Sequence, residues 1–150
     1  MAEQQFWMIK DEPSCYSYQD LEQEGSTNWD GVRNYQARNN LRKMKQGDPV
    51  LFYHSVTQKE VVGVCRVKAE AFPDPTEEVP EGKQPKWSAV TFEPVCALNK
   101  PVSLATIKGD DRLSEIALVK QSRLSVMPIT AQEFEILLEL AETPVQELDT

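Results

Sequence analysis

Trp29-Asp30-Gly31-Val32-Arg33-Asn34-Tyr35-Gln36-Ala37-Arg38-Asn39 decides how this chain is read. Two aromatics, two arginines, two asparagines and an aspartate crowd around one glycine. Amides and guanidiniums make poor core, because each buried one needs several hydrogen-bond partners. The mixture suits a site that stacks a flat ligand, reads its polar edge and holds an attached anion.

On the C-terminal side of this stretch, the spacing predicts a helix from Asn34 to Met44. Ala37, Leu41 and Met44 fall on its core face, and Asn34, Arg38 and Arg42 form an adjacent i, i+4 row. Lys45 to Pro49 is breaker chemistry, so Val50–Ser55 and Val61–Val67 read as neighbouring antiparallel strands. On the N-terminal side, Phe6–Ile9 reads as a strand, and Ser17 caps a short helix that Gly25 ends. Beyond Val67, prolines 73, 75, 80 and 85 interrupt regular structure. A further strand centres on Ala89–Phe92, Ser103 opens a short helix, and Arg123–Val126 alternates like a late strand. Thr130 with Glu133 forms a capping box for a helix packing Phe134, Leu137, Leu138 and Ala141. The chain after Glu142 is expected to fray. Short strands with three or four helices between and around them indicate an α+β fold with a compact twisted sheet or small barrel.

The chain has 150 residues, enough for one ordinary domain. A content of 40% hydrophobic and 27% charged residues excludes disorder. No apolar run reaches membrane-helix length, and Met1 to Gln5 has no secretory pattern. Three widely spaced cysteines and one histidine leave no zinc-ligand spacing, so neither metal nor cofactor is expected, and a reducing, intracellular setting is.

The net charge of −8 argues against indiscriminate nucleic-acid coating. Its distribution qualifies that. Residues 28–68 carry eight bases against three acids, between segments of −5 and −8. One basic block in an acidic envelope favours a focused anion site, and equally fits a solvated helix face.

Each candidate has two readings. Trp29 is either a stacking face or a core anchor, and Asp30 either accepts from an exocyclic amine or turns the chain. Asn34 either reads a base edge or caps the helix. Arg33 and Arg38 have the planar donor forks that suit phosphate, or are surface charges. Lys10 either binds or pairs with Glu12. His54 and Ser55 adjoin on a strand and point to opposite faces, which weakens a nucleophile dyad. No Gly-x-Ser-x-Gly elbow and no Gly-rich phosphate loop is present.

Taken together, the segments resemble the EVE domain, a PUA-like family. The landmarks are Trp7-x-x-Lys10-x-Glu12-Pro13, the 29–39 stretch, Gly47-Asp48, Phe52-Tyr53-His54-Ser55, Gly63, Asp74-Pro75-Thr76, Trp87, and Arg123-Leu124-Ser125-Val126 with Pro128. Asp11 departs from the pattern, standing where the family commonly has serine, and Met127 replaces a frequent polar residue.

The resemblance implies a single domain over residues 1–150: a PUA-like twisted β-barrel with surrounding short helices, akin to YTH and SRA readers. It implies a non-catalytic module that binds nucleic acid, DNA or RNA, by accepting a methylated or hydroxymethylated base. Trp29, Asp30, Gly31, Val32 and Asn34 would line the base pocket, with Tyr53, His54, Ser55 and Ser125 as further wall. Lys10, Arg33, Arg38 and Arg123 would meet phosphates. A monomer is favoured, cytoplasmic, or nuclear in a eukaryote. The rivals are a small nucleotide hydrolase with His54 as base, and a protein-interaction domain without ligand.

Overall fold

The computed structural model describes residues 4–144. Six strands are formed: β1 (Phe6–Asp11), β2 (Thr27–Trp29), β3 (Pro49–His54), β4 (Glu60–Pro73), β5 (Ser88–Ser103) and β6 (Val126–Ile129). The helices are α1 (Tyr18–Glu24), α2 (Tyr35–Lys43), α3 (Leu104–Lys108), α4 (Ala117–Lys120) and α5 (Ala131–Leu140).

The strands make one mixed sheet in the order β2-β5-β4-β3-β1-β6, with β1 parallel to β3 and every other pair antiparallel. Trp7, Met8 and Ile9 are all buried in succession, so β1 is covered on both faces. The two longest strands, β4 and β5, change register four times along their ladder. Each irregularity bends the pair and increases its twist. The sheet therefore coils. Trp29 on β2 lies edge-on to Phe52 on β3 with ring centroids 5.6 Å apart, although two strands separate β2 from β3 in the ladder. Helix α2 packs against β4, β5 and β6, bridging strands from both ends of the order.

Local chemistry accounts for the helices. Ser17 and Asp20 exchange capping-box bonds at α1, and Gly25 ends it at φ 81°, a left-handed cap that glycine adopts readily. Asn34 caps α2 by accepting from the Ala37 N–H at 2.8 Å, which satisfies one of the free donors of the first turn. Ala37, Leu41 and Met44 are buried, as their spacing predicts. Thr130 and Glu133 form the capping box of α5.

Three expectations need correction. Arg123 and Leu124 are not strand: the Leu124 N–H turns back to the Gln121 carbonyl at 3.0 Å, and β6 begins at Val126. Four alternating residues are too few to separate a strand from a turn. Pro128 is tolerated in β6 because β6 is an edge, where a missing N–H breaks no ladder. The chain just past Glu142 is tied down: the Asn99 N–H donates to Thr143 Oγ1 at 2.9 Å, and the Thr143 N–H to the Leu138 carbonyl at 3.0 Å. From residue 145 the fraying expectation lies outside the described residues. Finally, the strand expected at Val61–Val67 runs on to Pro73, because register shifts against β5 absorb the residues that suggest an interruption.

Candidate functional site

Because the sheet coils, its two ends meet. A cavity of about 530 Å³ opens where the end of β1 (Lys10, Asp11), strand β2 with the loop Asp30–Arg33, and Ser125 before β6 converge, with Tyr16 alongside. That volume is within the range of about 300–1,000 Å³ usual for small-ligand sites. A tighter cavity of about 180 Å³ between Phe6, Val64, Val95 and Phe134 falls below it.

Trp29 borders the larger cavity but is held firmly. Its indole makes edge contacts with Tyr16, Phe52 and Phe92, and only 9% of the residue is exposed. The core-anchor reading of Trp29 is the one the packing realises, and the indole also borders the cavity. Asp30 is exposed at the rim. Gly31 takes φ 76°, a left-handed conformation that glycine adopts without strain.

The loop is organised by Asp74, whose side chain is fully buried. Its Oδ2 accepts from the Gly31 N–H at 2.7 Å and Arg33 Nη1 at 2.9 Å. Its Oδ1 accepts from the Thr76 N–H at 2.7 Å and Thr76 Oγ1 at 2.6 Å. Burial alone would raise this carboxyl. The bonds from the Thr76 and Arg33 side chains and from the Thr76 and Gly31 backbone outweigh it and hold the pKa at about 2. A permanent carboxylate thus fixes both the left-handed turn and the guanidinium next to it.

Lys10 and Asp11 supply opposite charges at the far wall. Lys10 Nζ donates to the Ser122 carbonyl at 2.7 Å and lies 5.8 Å from the Tyr53 ring centre, and burial lowers its pKa. Burial raises Asp11, and the Glu12 charge adds to it against the Glu12 N–H bond and the His54 contribution. Two cations and two acids therefore share the cavity.

The structure separates several residues that the sequence grouped. Asn34 and Arg123 line a neighbouring cleft with Gln36, Gln121 and Ser122, because Asn34 spends its carbonyl on the helix cap. Tyr53 is buried behind Lys10. His54 is buried and takes up a structural post. Its Nε2 accepts from the Tyr18 N–H at 3.0 Å, so Nδ1 carries the proton toward Gln58 Oε1 at 2.6 Å, since a neutral imidazole has one donor and one acceptor. Ser55 joins the chain to β1 through its N–H and the Asp11 carbonyl. The register shift between Phe52 and Tyr53 breaks the alternation that strand geometry assumes. Arg38 points to the segment before β5, donating to the Lys86 carbonyl.

Asp11, Tyr16, Thr27 and Asn28 also line the cavity, and none is in the sequence-derived set. Their signal is weak, since a three-residue strand has no period to detect. Asp74 had a better one: in Asp74-Pro75-Thr76 the carboxylate meets the N–H two residues on, a common turn arrangement.

A coiled mixed sheet with a part-aromatic cavity carrying charges of both signs at its seam defines a binding domain of the PUA-like kind. The sequence profile of the EVE domain matches residues 5–140, and this chain belongs to that family. Thymocyte nuclear protein 1 of Mus musculus is 35% identical, over 92% of this chain and 74% of that protein. The crystal structure of human THYN1 in complex with 5-methylcytosine containing DNA superposes with a TM-score of 0.85 at 32% identity, covering 93% of this chain and 99% of that one. The YTH domain of Zygosaccharomyces rouxii MRB1, in complex with N6-methyladenosine RNA, superposes at 0.60 with 16% identity over 96% and 88%, which establishes likeness of fold.

Proposed function

We propose that this protein is a nucleic-acid-binding module that accepts a modified base in the cavity at the sheet seam. The observation that carries the reading is convergence: one cavity collects an aromatic face (Trp29), an exposed carboxylate (Asp30) and two cations (Lys10, Arg33). A carboxylate accepts from the exocyclic amine of a cytosine-type edge, and fixed cations meet the attached phosphate. Human THYN1, so similar in fold and sequence, is bound to DNA containing 5-methylcytosine. Extruding a base from a duplex costs a few kcal/mol, which stacking and edge contacts offset.

The module acts by binding and has no catalytic step of its own. The hydrolase alternative needs a free histidine base, and both ring nitrogens of His54 are engaged away from the cavity.

The test is equilibrium binding to oligonucleotides with and without one 5-methylcytosine, single- and double-stranded, at two salt concentrations. Trp29→Ala is a poor probe because it also removes core packing worth about 3–5 kcal/mol. Asp30→Ala and Trp29→Phe are better. The reading predicts that Asp30→Ala weakens binding by about 1–3 kcal/mol with the fold intact. Discrimination between modified and unmodified base should be similarly modest, on the order of 1–3 kcal/mol. Equal affinity of wild type and Asp30→Ala for the modified strand would refute it.

A further inference from the structure

Outside the cavity, one surface combines aromatic exposure with uncompensated positive charge. Tyr35, the first residue of α2, is 57% exposed. It stacks on Trp87 with ring centroids 4.9 Å apart and planes inclined by 24°. The Arg38 guanidinium lies 4.8 Å from the Tyr35 centre and 5.9 Å from the Trp87 centre. A guanidinium capping the outer face of Tyr35 would sit far beyond Trp87, with the tyrosine ring between them. The comparable separations instead place Arg38 over both rings, on the side of Tyr35 that faces Trp87. With Trp87 and Arg38 on that side, the exposure of Tyr35 falls to its other ring face.

The neighbouring charges are fixed but not neutralised. Arg38 donates to Asn39 Oδ1 and to the Lys86 carbonyl, and Arg42 to Ser88 Oγ and the same carbonyl. All these acceptors are neutral, and among the described residues neither arginine forms an ion pair. The nearby carboxylate of Glu77 is taken up by the Lys86 and Trp87 N–H groups. A clasp serving only to pin the proline-bearing segment to α2 would need neither an open ring face nor two unpaired guanidiniums.

This surface is continuous with the cavity. Arg33 lines the cavity and also lies 5.4 Å from the Trp87 ring centre, and Asp74 holds it there. We propose that the outer face of Tyr35 is a second stacking platform for an unpaired base on the strand whose modified base enters the cavity, with Arg38 and Arg42 meeting the intervening phosphates. Aromatic faces accept any base, so the platform adds affinity without sequence preference, whereas the cavity selects. The inference rests on the cavity reading given above.

Two probes separate the two claims. One is a single strand of about 12 nucleotides with a central 5-methylcytosine, long enough to span both sites. The other is 5-methyl-2′-deoxycytidine monophosphate, followed by amide chemical shifts, which reaches the cavity alone. Tyr35→Ala should weaken the strand about tenfold and leave the mononucleotide unchanged, Tyr35→Phe should retain wild-type binding, and Asp30→Ala should weaken both probes. Arg38→Gln should lower the salt dependence by about one counterion. If Tyr35→Ala holds the strand as tightly as wild type while Asp30→Ala does not, the platform is wrong and the cavity stands. If Tyr35→Phe loses as much as Tyr35→Ala, stacking is not the cause and the platform is again wrong. If wild type binds neither probe, the cavity reading fails and takes the platform with it.

Discussion

Replacing Asp74 with asparagine tests whether one buried carboxylate builds the site. The carboxylate accepts four hydrogen bonds, two on each oxygen. An asparagine can keep its carbonyl toward Thr76, but its NH₂ then faces the Gly31 N–H and Arg33 Nη1, donor against donor. Two bonds to a charged acceptor are lost, each worth about 1.5–3 kcal/mol. The Arg33 side chain is 40% exposed. Water therefore replaces part of its share, and the expected cost is about 2–4 kcal/mol. For a chain of this size that lowers Tm by about 5–15 °C. Thermal melts by circular dichroism measure it, with oligonucleotide binding followed on the same samples. The pH dependence provides a second check. The folded-state pKa, about 2, lies below the ordinary 3.8. The carboxylate thus stabilises the fold fully above about pH 4, and this contribution fades as pH falls toward about 2. Asp74→Asn should lack that part of the acid transition. A variant melting within about 2 °C of wild type, with unchanged binding, would contradict the reasoning.

Three other perturbations follow from the geometry. Gly63→Ala would drive a Cβ into the Tyr18 ring, which cannot withdraw because its hydroxyl donates to the Val64 carbonyl and its edge packs against Phe52. A loss of about 1–3 kcal/mol in urea unfolding is expected. His54→Ala removes the acceptor of the Tyr18 N–H. By the same assay it should cost roughly 1 to 3 kcal/mol, through α1. Asp11→Ser deletes a negative charge beside Lys10 and should tighten oligonucleotide binding by about 2–5-fold at low salt. Because burial raises the Asp11 pKa, its charge is lost at higher pH than usual for a carboxylate, so wild-type affinity should rise on mild acidification and Asp11→Ser should be flatter.

Helix ends and core faces were legible because their signals are local. Asn34, Ser17, Gly25, Ser103 and Thr130 all sit at caps, and Ala37, Leu41 and Met44 all face inward. The length of β4 and β5 was hidden, since prolines and polar residues in Lys68–Pro73 and Glu93–Ser103 suggest interruption while bulges absorb it. The cavity was legible in part: the 29–33 loop, Lys10 and Ser125 meet there. Asn34, His54 and Arg38 do not, because each has a closer task, a helix cap, a helix N–H and a backbone carbonyl respectively. Such competition depends on what the coiled sheet brings within reach, which no linear spacing reveals.

The central claim is that a base enters between Trp29 and the Asp30–Arg33 loop. Intermolecular NOEs from the methyl group of 5-methylcytosine in a bound oligonucleotide test it most directly. The account predicts contacts to Trp29 indole protons together with shifts of the Asp30 and Gly31 amides. Contacts confined to the smaller cavity near Phe6 and Phe134, with the Trp29 resonances unmoved, would contradict it.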